Sequence, residues 1–211
     1  MCWPNREKQK YYLQIVSDET KRLSRLVRSM LNLSRIEAGE MKINKTKINI
    51  VDIICQTVFS FEQQIEKKYL TIRGLDHEKV IIEADADLMH QVIYNLTENA
   101  VKFADEGGYI EFSIHTMGDE TYVSVKNSGA GLSKSEMSNV FERFYKTDKS
   151  RGLDKNGVGL GLYIVRSIVN LHGGEITVNS IEGEYVEFVF SVPTNNRQIT
   201  TQNKPQGKFK K

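Results

Sequence analysis

The sequence has 211 residues, enough for one well-buried domain and a smaller element, and its 39% hydrophobic and 27% charged residues are typical of a soluble protein. No apolar run approaches the roughly 20 residues of a membrane span, and two cysteines exclude a disulfide framework, so a reducing, cytoplasmic location is expected. The net charge of +2 comes from the segment 194–211, which holds five basic residues and no acidic ones, so no nucleic-acid-binding face is expected.

The chain begins with a predicted leader, residues 1–5, followed by a long helix over 6–39. No Gly or Pro interrupts the stretch from Arg6 to Ala38, apolar residues recur there at helical spacing, and Gly39 offers a C-terminal stop. A single helix of about 50 Å cannot remove its own apolar stripe from solvent. We therefore expect a partner helix, from another segment or from a second copy of the chain. Packing on the chain's own core is the alternative.

Strands and helices alternate over residues 40–193. The hydrophobic periodicity predicts strands at 47–50, 70–73, 80–83, 109–115, 121–126, 175–180 and 185–192, and helices at 51–68, 86–103 and 158–171. Strand pairs around helices favour an α+β fold, a two-layer sandwich, over a doubly wound parallel sheet. The segment 128–157 is long for a loop and is predicted to be a lid or binding segment. The polar, basic segment 194–211 is predicted to be disordered.

A glycine-rich turn runs directly into the last predicted helix, with the sequence Gly157-Val158-Gly159-Leu160-Gly161-Leu162. Glycines let backbone N–H groups approach an anion closely, and a helix N-terminus adds a favourable dipole. The turn lacks the Gly-Lys-Ser/Thr of a P-loop, and its GxGxG spacing differs from that of a dinucleotide-binding turn. A phosphate cradle is the functional interpretation, and a flexible loop entering a helix is the structural alternative.

Two further motifs carry polar side chains. Asn95, Asn99 and Lys102 fall at i, i+4 and i+7, on one face of the helix predicted over 86–103. Amide oxygens are plausible ligands for Mg²⁺ together with phosphate oxygens and water, and the lysine could pair with phosphate. A solvated helix face is the alternative. The motif that begins at Asn127 (Asn-Ser-Gly-Ala-Gly) ends a strand, where its side-chain oxygen could accept from an adenine amine.

In chain order, these motifs and Phe141-Glu-Arg-Phe-Tyr-Lys146 resemble the N, G1, F and G2 boxes of sensor histidine kinases, which belong to the Bergerat (GHKL) ATP-binding superfamily. Leu33-Ser-Arg-Ile-Glu-Ala-Gly39 resembles the end of the second helix of a histidine-kinase dimerisation domain. The resemblance covers roughly Lys10 to Pro193. It implies a partial dimerisation and phosphoacceptor domain at 6–39, and a catalytic ATP-binding domain at 40–193 with an ATP lid at about 128–157.

The resemblance implies that the chain binds ATP and Mg²⁺. It assigns Asn99 to the Mg²⁺ ion with support from Asn95, and it assigns Lys102 and Lys146 to phosphate oxygens. Phe103 is expected near the nucleotide. Asn127, Gly129 and Gly131 are expected at the adenine, and the backbone of Gly157, Val158, Gly159, Leu160, Gly161 and Leu162 around the phosphates. The aromatic residues of the F box are expected to anchor the lid.

The chain departs from the family pattern at two places. The G1 box commonly begins with Asp, and Asn127 keeps an acceptor but loses the charge, so nucleotide binding about tenfold weaker is expected. The phosphoacceptor lies on the first dimerisation helix in a His-Glu/Asp-x-x-x-Pro context, and none of His77, His90, His115 and His172 has that context. The first helix is therefore expected to be absent. The chain is expected to bind ATP without phosphorylating itself.

The predicted function is the catalytic, ATP-binding portion of a sensor histidine kinase of a two-component system. It would donate the γ-phosphoryl of ATP to a histidine that the chain lacks, for relay to a response-regulator aspartate. Expected partners are the missing first helix, the response regulator and a second copy through the 6–39 helix, with the parent anchored to a membrane. A nucleotide-binding regulatory module without phosphotransfer and a GHKL protein-serine kinase are the alternatives.

Overall fold

A computed structural model describes residues 6–76, 78–147 and 158–193. The chain divides into two compact units, residues 1–43 and 44–211. The first unit contains helix α1, Arg6–Glu37. The helix ends where Gly39 takes a φ of +67°, a left-handed conformation that glycine adopts without steric cost, so the predicted stop is confirmed.

Four described apolar side chains in the second half of α1 are exposed. Leu23 is 61% exposed, Val27 48%, Met30 49% and Leu31 56%. Their spacing of three and four residues places them along one stripe of the helix. This stripe is the feature for which the sequence predicts a partner helix. No helix in the described part of the chain has the combination of length and hydropathy that a bilayer crossing requires.

The second unit is a sheet covered by helices. Its strands are β1 (Thr46–Asn49), β2 (Thr71–Arg73), β3 (Ile81–Ala84), β4 (Tyr109–Met117), β5 (Glu120–Ser128), β6 (Ile176–Ile181) and β7 (Tyr185–Pro193). Its helices are α2 (Ile50–Ser60), α3 (Glu62–Lys67), α4 (Ala86–Phe103), α5 (Lys134–Asn139) and α6 (Gly161–Leu171). The main sheet has the order β2-β4-β5-β7-β6, and only its β2–β4 pair is parallel; β1 and β3 form a separate antiparallel pair.

Buried and more exposed side chains alternate along the strands, so the main sheet has one buried face and one polar face. Ile110, Phe112 and Ile114 of β4 and Phe188 and Phe190 of β7 are at most 7% exposed. They lie on the face covered by α4 and α6, which pack together and against β5, β6 and β7. The predicted α+β sandwich is therefore confirmed.

On the opposite face, one row of directly paired residues crosses all five strands in the order Arg73, Glu111, Lys126, Glu187, Asn179. The charges alternate along this row, which favours the observed register.

The structure differs from the prediction in two elements. The helix predicted over 51–68 breaks at Phe61, which has φ −104° and ψ 7° and a side chain only 6% exposed, so α2 and α3 are separate helices. The segment 128–157 contains α5, whose start is stabilised by a capping box between Ser133 and Glu136. Residues 1–5, 148–157 and 194–211, with the predicted leader, the last part of the predicted lid and the predicted tail, lie outside the described residues.

Candidate nucleotide-binding site

Helix α4 carries the first predicted motif. Its N-cap Asp85 accepts a hydrogen bond from the Leu88 N–H (3.2 Å), and its most buried side chains pack into the core. Asn95, Asn99, Lys102 and Phe103 are half-buried at the edge of that buried face. The Asn95 side-chain amide donates to the Gly161 carbonyl (3.3 Å), 66 residues further along the chain. This bond brings the first motif to the glycine-rich turn.

The described part of the glycine-rich turn begins at Val158, so Gly157 lies outside it. Gly159 has a φ of +75°, and a Cβ there would lie 2.7 Å from the Tyr145 carbonyl oxygen and 2.8 Å from the Phe144 carbonyl carbon. Its carbonyl accepts from the Phe144 N–H (3.0 Å). The turn and the F-box segment are therefore in backbone contact, which leaves no room for a side chain at Gly159.

Gly161, unlike Gly159, has space for a side chain. It is the first residue of α6, and a Cβ at this position would meet no atom within 4 Å. Leu160 before it is 4% exposed and anchors the turn, but it provides no side-chain cap for the helix. Leu162 is half-buried. A helix N-terminus with open space beside it favours an anion, because its first N–H groups lack intrahelical partners.

The F-box segment is held against α6 and the sheet. The Arg143 guanidinium donates to the Tyr163 hydroxyl (2.8 Å) and lies 4.6 Å from the centre of its ring. The Phe141 ring meets that of Phe188 edge-on at 6.0 Å. The Phe144 ring, by contrast, is 60% exposed and takes no part in the anchoring, although its backbone N–H bonds to Gly159 and its φ is positive at 60°. Lys146 follows in the chain and is half-buried.

Asn127 lies near the end of β5, on the buried face between Ile110 and Val186, and is 4% exposed. Its side-chain amide donates to the Ser128 carbonyl (2.8 Å). A Cβ at Gly129 would lie 2.5 Å from the Phe103 carbonyl oxygen, so this motif meets the C-terminal end of α4.

The second glycine of the same motif, Gly131, has a φ of +66°. A Cβ at this position would collide with the backbone of Ile181 and Glu182 in the β6–β7 turn. Packing therefore explains the glycine at Gly131 without a ligand.

The structure reveals two residues, one at each end of α4, that sequence reasoning missed. Lys68 donates to three carbonyls at the end of α4, and burial lowers the pKa of its ammonium, against the opposing charges of Asp105 and Glu106. The second is His172, which is 1% exposed. No local pattern marks the role of Lys68, whereas a histidine directly before Gly173-Gly174 at the end of a helix is a weak signal.

His172 joins the end of α6 to the start of α4. Its Nδ1–H donates to the Ile168 carbonyl (2.8 Å), and its Nε2 accepts from the Asp85 N–H (3.1 Å), which requires a neutral ring. Burial lowers its pKa, and the neighbouring Lys45 lowers it further. Both ring nitrogens are engaged, so His172 is not available as a phosphoryl acceptor.

The donor set of the site suits a nucleotide phosphate with a hard cation. The Asn95 amide contacts Gly161 at the uncapped N-terminus of α6, and Asn99 and Lys102 follow one and two turns further along α4. Within the described ranges there is no cluster of three or more His, Cys, Asp or Glu residues that could hold a metal ion by itself. A Mg²⁺ ion here would therefore share its ligands between an amide oxygen, phosphate oxygens and water, as that ion commonly does.

Comparisons with known proteins indicate the family of the chain. Residues 84–196 match the family model described as histidine kinase-, DNA gyrase B-, and HSP90-like ATPase, and residues 2–39 match the His Kinase A (phospho-acceptor) domain. The chain is 36% identical to the sensor histidine kinase WalK of Bacillus subtilis (strain 168) over 199 residues, which are 93% of this chain and 33% of WalK.

Solved histidine kinases have the same fold. The catalytic domain of ThkA is 31% identical with a TM-score of 0.62, covering 72% of this chain and 96% of that domain. Full-length ShkA, in complex with AMPPNP, is 25% identical with a TM-score of 0.75, covering 88% of this chain and 39% of ShkA. ThkA in complex with the response regulator TrrA is 28% identical with a TM-score of 0.69, covering 92% of this chain and 53% of that chain.

The chain belongs to the histidine kinase-, DNA gyrase B-, and HSP90-like ATPases, and within them to the sensor histidine kinases. It spans about one third of the length of WalK. The phosphoacceptor-domain match at 2–39 partly conflicts with the prediction of a chain without its acceptor region. That matched segment nevertheless contains no histidine, because the four histidines are His77, His90, His115 and His172.

Proposed function

We propose that this chain is the catalytic portion of a sensor histidine kinase and that it donates the γ-phosphoryl of ATP to a histidine outside its 211 residues. The observation that carries the proposal is a set of contacts that joins the four motifs, two of which contact α4 directly. Asn95 bonds to Gly161, Gly159 lies against Phe144, and Gly129 lies against Phe103. The complex of the similar kinase ShkA with AMPPNP supports a nucleotide ligand.

The residues are proposed to act by binding and orienting. Asn99 would hold Mg²⁺ with support from Asn95, and the ion would neutralise charge between the phosphates when bound. Lys102 and Lys146 would pair with phosphate oxygens, as point charges. Positioning and electrostatic stabilisation account for most of the catalysis of phosphoryl transfer, so no nucleophile is required of this chain.

The base is proposed to lie at the C-terminal end of α4, and the phosphates along the same helix between Asn95 and Lys102. The Asn127 amide nitrogen already donates to Ser128, so its Oδ1 is the atom that would accept from the adenine amine, beside Gly129 and Phe103. The backbone from Gly157 to Leu162 would surround the phosphates, with Gly161 at the helix N-terminus. Gly131 would contribute through the shape of the loop.

The acceptor histidine is proposed to come from a helix that covers the apolar stripe of α1. The stripe of Leu23, Val27, Met30 and Leu31 is about half exposed or more, and the match of 2–39 to a phosphoacceptor domain supports a helical partner. That partner is a first dimerisation helix or a second copy of the chain. The match also favours a histidine kinase over a protein-serine kinase.

A response regulator would accept the phosphoryl group on an aspartate, as the complex of the similar kinase ThkA with the response regulator TrrA supports. The reaction would take place in the cytoplasm, on a parent protein anchored to the membrane.

Phosphoryl transfer with and without the acceptor tests the proposal. The chain is incubated with radiolabelled ATP and Mg²⁺, first alone and then with a peptide that carries a first-helix histidine. We expect acid-labile, base-stable label only in the mixture, and none with an Asn99→Ala variant of the chain. Nucleotide-dependent thermal stabilisation without transfer would instead support a binding module, and label on serine would refute a histidine kinase.

A further inference from the structure

The side chain of Lys68 lies at the C-terminal end of α4. Its ammonium donates to the carbonyl oxygens of Val101 (2.9 Å), Lys102 (2.8 Å) and Ala104 (2.9 Å). An ammonium has three N–H donors, so all three are used. The last carbonyls of a helix have no intrahelical partner and carry the negative end of the helix dipole, which favours a cation there.

The backbone of the same residue holds the loop that follows α4. The Lys68 carbonyl accepts from the Gly107 N–H (2.8 Å), and the Gly108 carbonyl accepts from the Thr71 N–H (2.9 Å). The end of α4 and the loop to β4 are therefore bonded on two sides by a single stretch of chain, about 33 residues away in sequence. Few alternative positions of residues 101–108 keep these bonds.

The end of α4 is also where two of the predicted nucleotide contacts meet. The Phe103 carbonyl oxygen lies close enough to Gly129 that a Cβ there would approach it to 2.5 Å. The Tyr109 N–H donates to the Ser128 hydroxyl (2.9 Å), which ties the loop to the same motif. A shift of the α4 end would therefore change the distance between Lys102 and the Asn127 region.

We propose that Lys68 is a positioning residue for the nucleotide: by binding the carbonyls at the end of α4, it sets Lys102 and Phe103 at the distance from Asn127 that an adenine nucleotide requires. This inference rests on the proposed nucleotide site. Lys68 touches no part of the ligand in this scheme and acts through α4.

The test compares Lys68→Met with Lys68→Arg and with Lys67→Met, a change at the exposed neighbouring lysine. The affinity of the chain for ATP with Mg²⁺ is measured by calorimetry well below the unfolding temperature, and the unfolding temperature is measured without nucleotide. We expect ATP binding about tenfold weaker in Lys68→Met, corresponding to ~1.4 kcal/mol. Lys68→Arg should recover most of the affinity, because the guanidinium keeps donors for the carbonyls, and Lys67→Met should bind as the unaltered chain does.

A double-mutant cycle separates positioning from general stability. If Lys68 acts through the end of α4, adding Lys68→Met to Lys102→Met should weaken ATP binding by less than about threefold, since the phosphate contact is already lost. Equal affinity of Lys68→Met and the unaltered chain, or a full tenfold further loss in the double variant, overturns the inference.

Two further outcomes are informative. If Lys68→Met does not fold, Lys68→Gln replaces it as the weakened variant, because its shorter neutral amide has two N–H donors and no charge for the three carbonyls. If the unaltered chain binds no nucleotide, the proposed function fails together with the inference, whereas normal binding by the unaltered chain and by Lys68→Met refutes the role of Lys68 alone.

Discussion

Gly159 and Gly161 offer a direct test of the phosphate cradle, because the structure predicts opposite effects of alanine at the two positions. Gly161 has no positive φ, and its Cβ position is open. A Gly→Ala change at a compatible position stabilises a protein by about 0.4–1 kcal/mol, mainly through the unfolded chain. Gly161→Ala should therefore raise the unfolding temperature without nucleotide, by up to about 4 °C.

The same methyl group should weaken nucleotide binding. It would occupy the open space at the N-terminus of α6, where the phosphates are proposed to lie. Displacing a phosphate there costs at least one hydrogen bond from a backbone N–H to a charged group, about 1.5–3 kcal/mol. Since 1.4 kcal/mol is about tenfold in affinity, ATP binding should weaken at least about tenfold.

Gly159→Ala should instead destabilise the protein itself. Its left-handed φ costs alanine about 1–2 kcal/mol, and the new methyl would press on the backbone of Tyr145 and Phe144. The assay is thermal unfolding without ligand, followed by calorimetry with ATP and with adenosine. Adenosine lacks phosphates, so its affinity should be unchanged in Gly161→Ala. Unchanged ATP affinity in Gly161→Ala would refute the cradle.

Three other changes have defined outcomes. Asn127→Asp should strengthen ATP binding about tenfold, measured by calorimetry, while lowering the unfolding temperature without nucleotide, because the carboxylate would be 4% exposed; weaker binding contradicts the adenine role. Because folding lowers the pKa of His172, the unfolded chain binds more protons than the folded protein does below the unfolded pKa of 6.5. The free energy of unfolding is therefore greatest above this pH and decreases as the pH falls below it. Unfolding by denaturant at several pH values should show this decrease, at most about 1.4 kcal/mol per pH unit, and His172→Gln should show a smaller one. Equal slopes of unfolding free energy against pH in the two proteins exclude His172 as the cause. Glu187→Lys places like charges opposite Lys126 and should cost about 0.2–1 kcal/mol of unfolding free energy by the same method, whereas Glu187→Gln should cost less; a larger loss in the glutamine variant contradicts a charge effect.

The local pattern of apolar residues and glycines predicted many of the helices and strands, because it shows which face of each element is apolar and where the chain turns. Helix α1 and its stop at Gly39, helix α4 and the α+β class all follow from periodicity and glycine placement. The break at Phe61 did not, because neither Gly nor Pro marks it and the burial of the Phe61 ring depends on distant segments of the chain. The helix α5 was missed although its Ser133 and Glu136 have the spacing of a capping box.

The four motifs and their order can be read from the sequence alone, and the family comparisons confirm the class of protein that they predict. The contacts between atoms of those motifs, by contrast, depend on the tertiary structure. Asn95 bonds to Gly161 across 66 residues, and Asp85 bonds to His172 across 87. Lys68 binds the end of α4 from a separate helix and turn. Such contacts depend on sheet register and on the path of each loop, which involve distant segments at once, so no local window of sequence contains them.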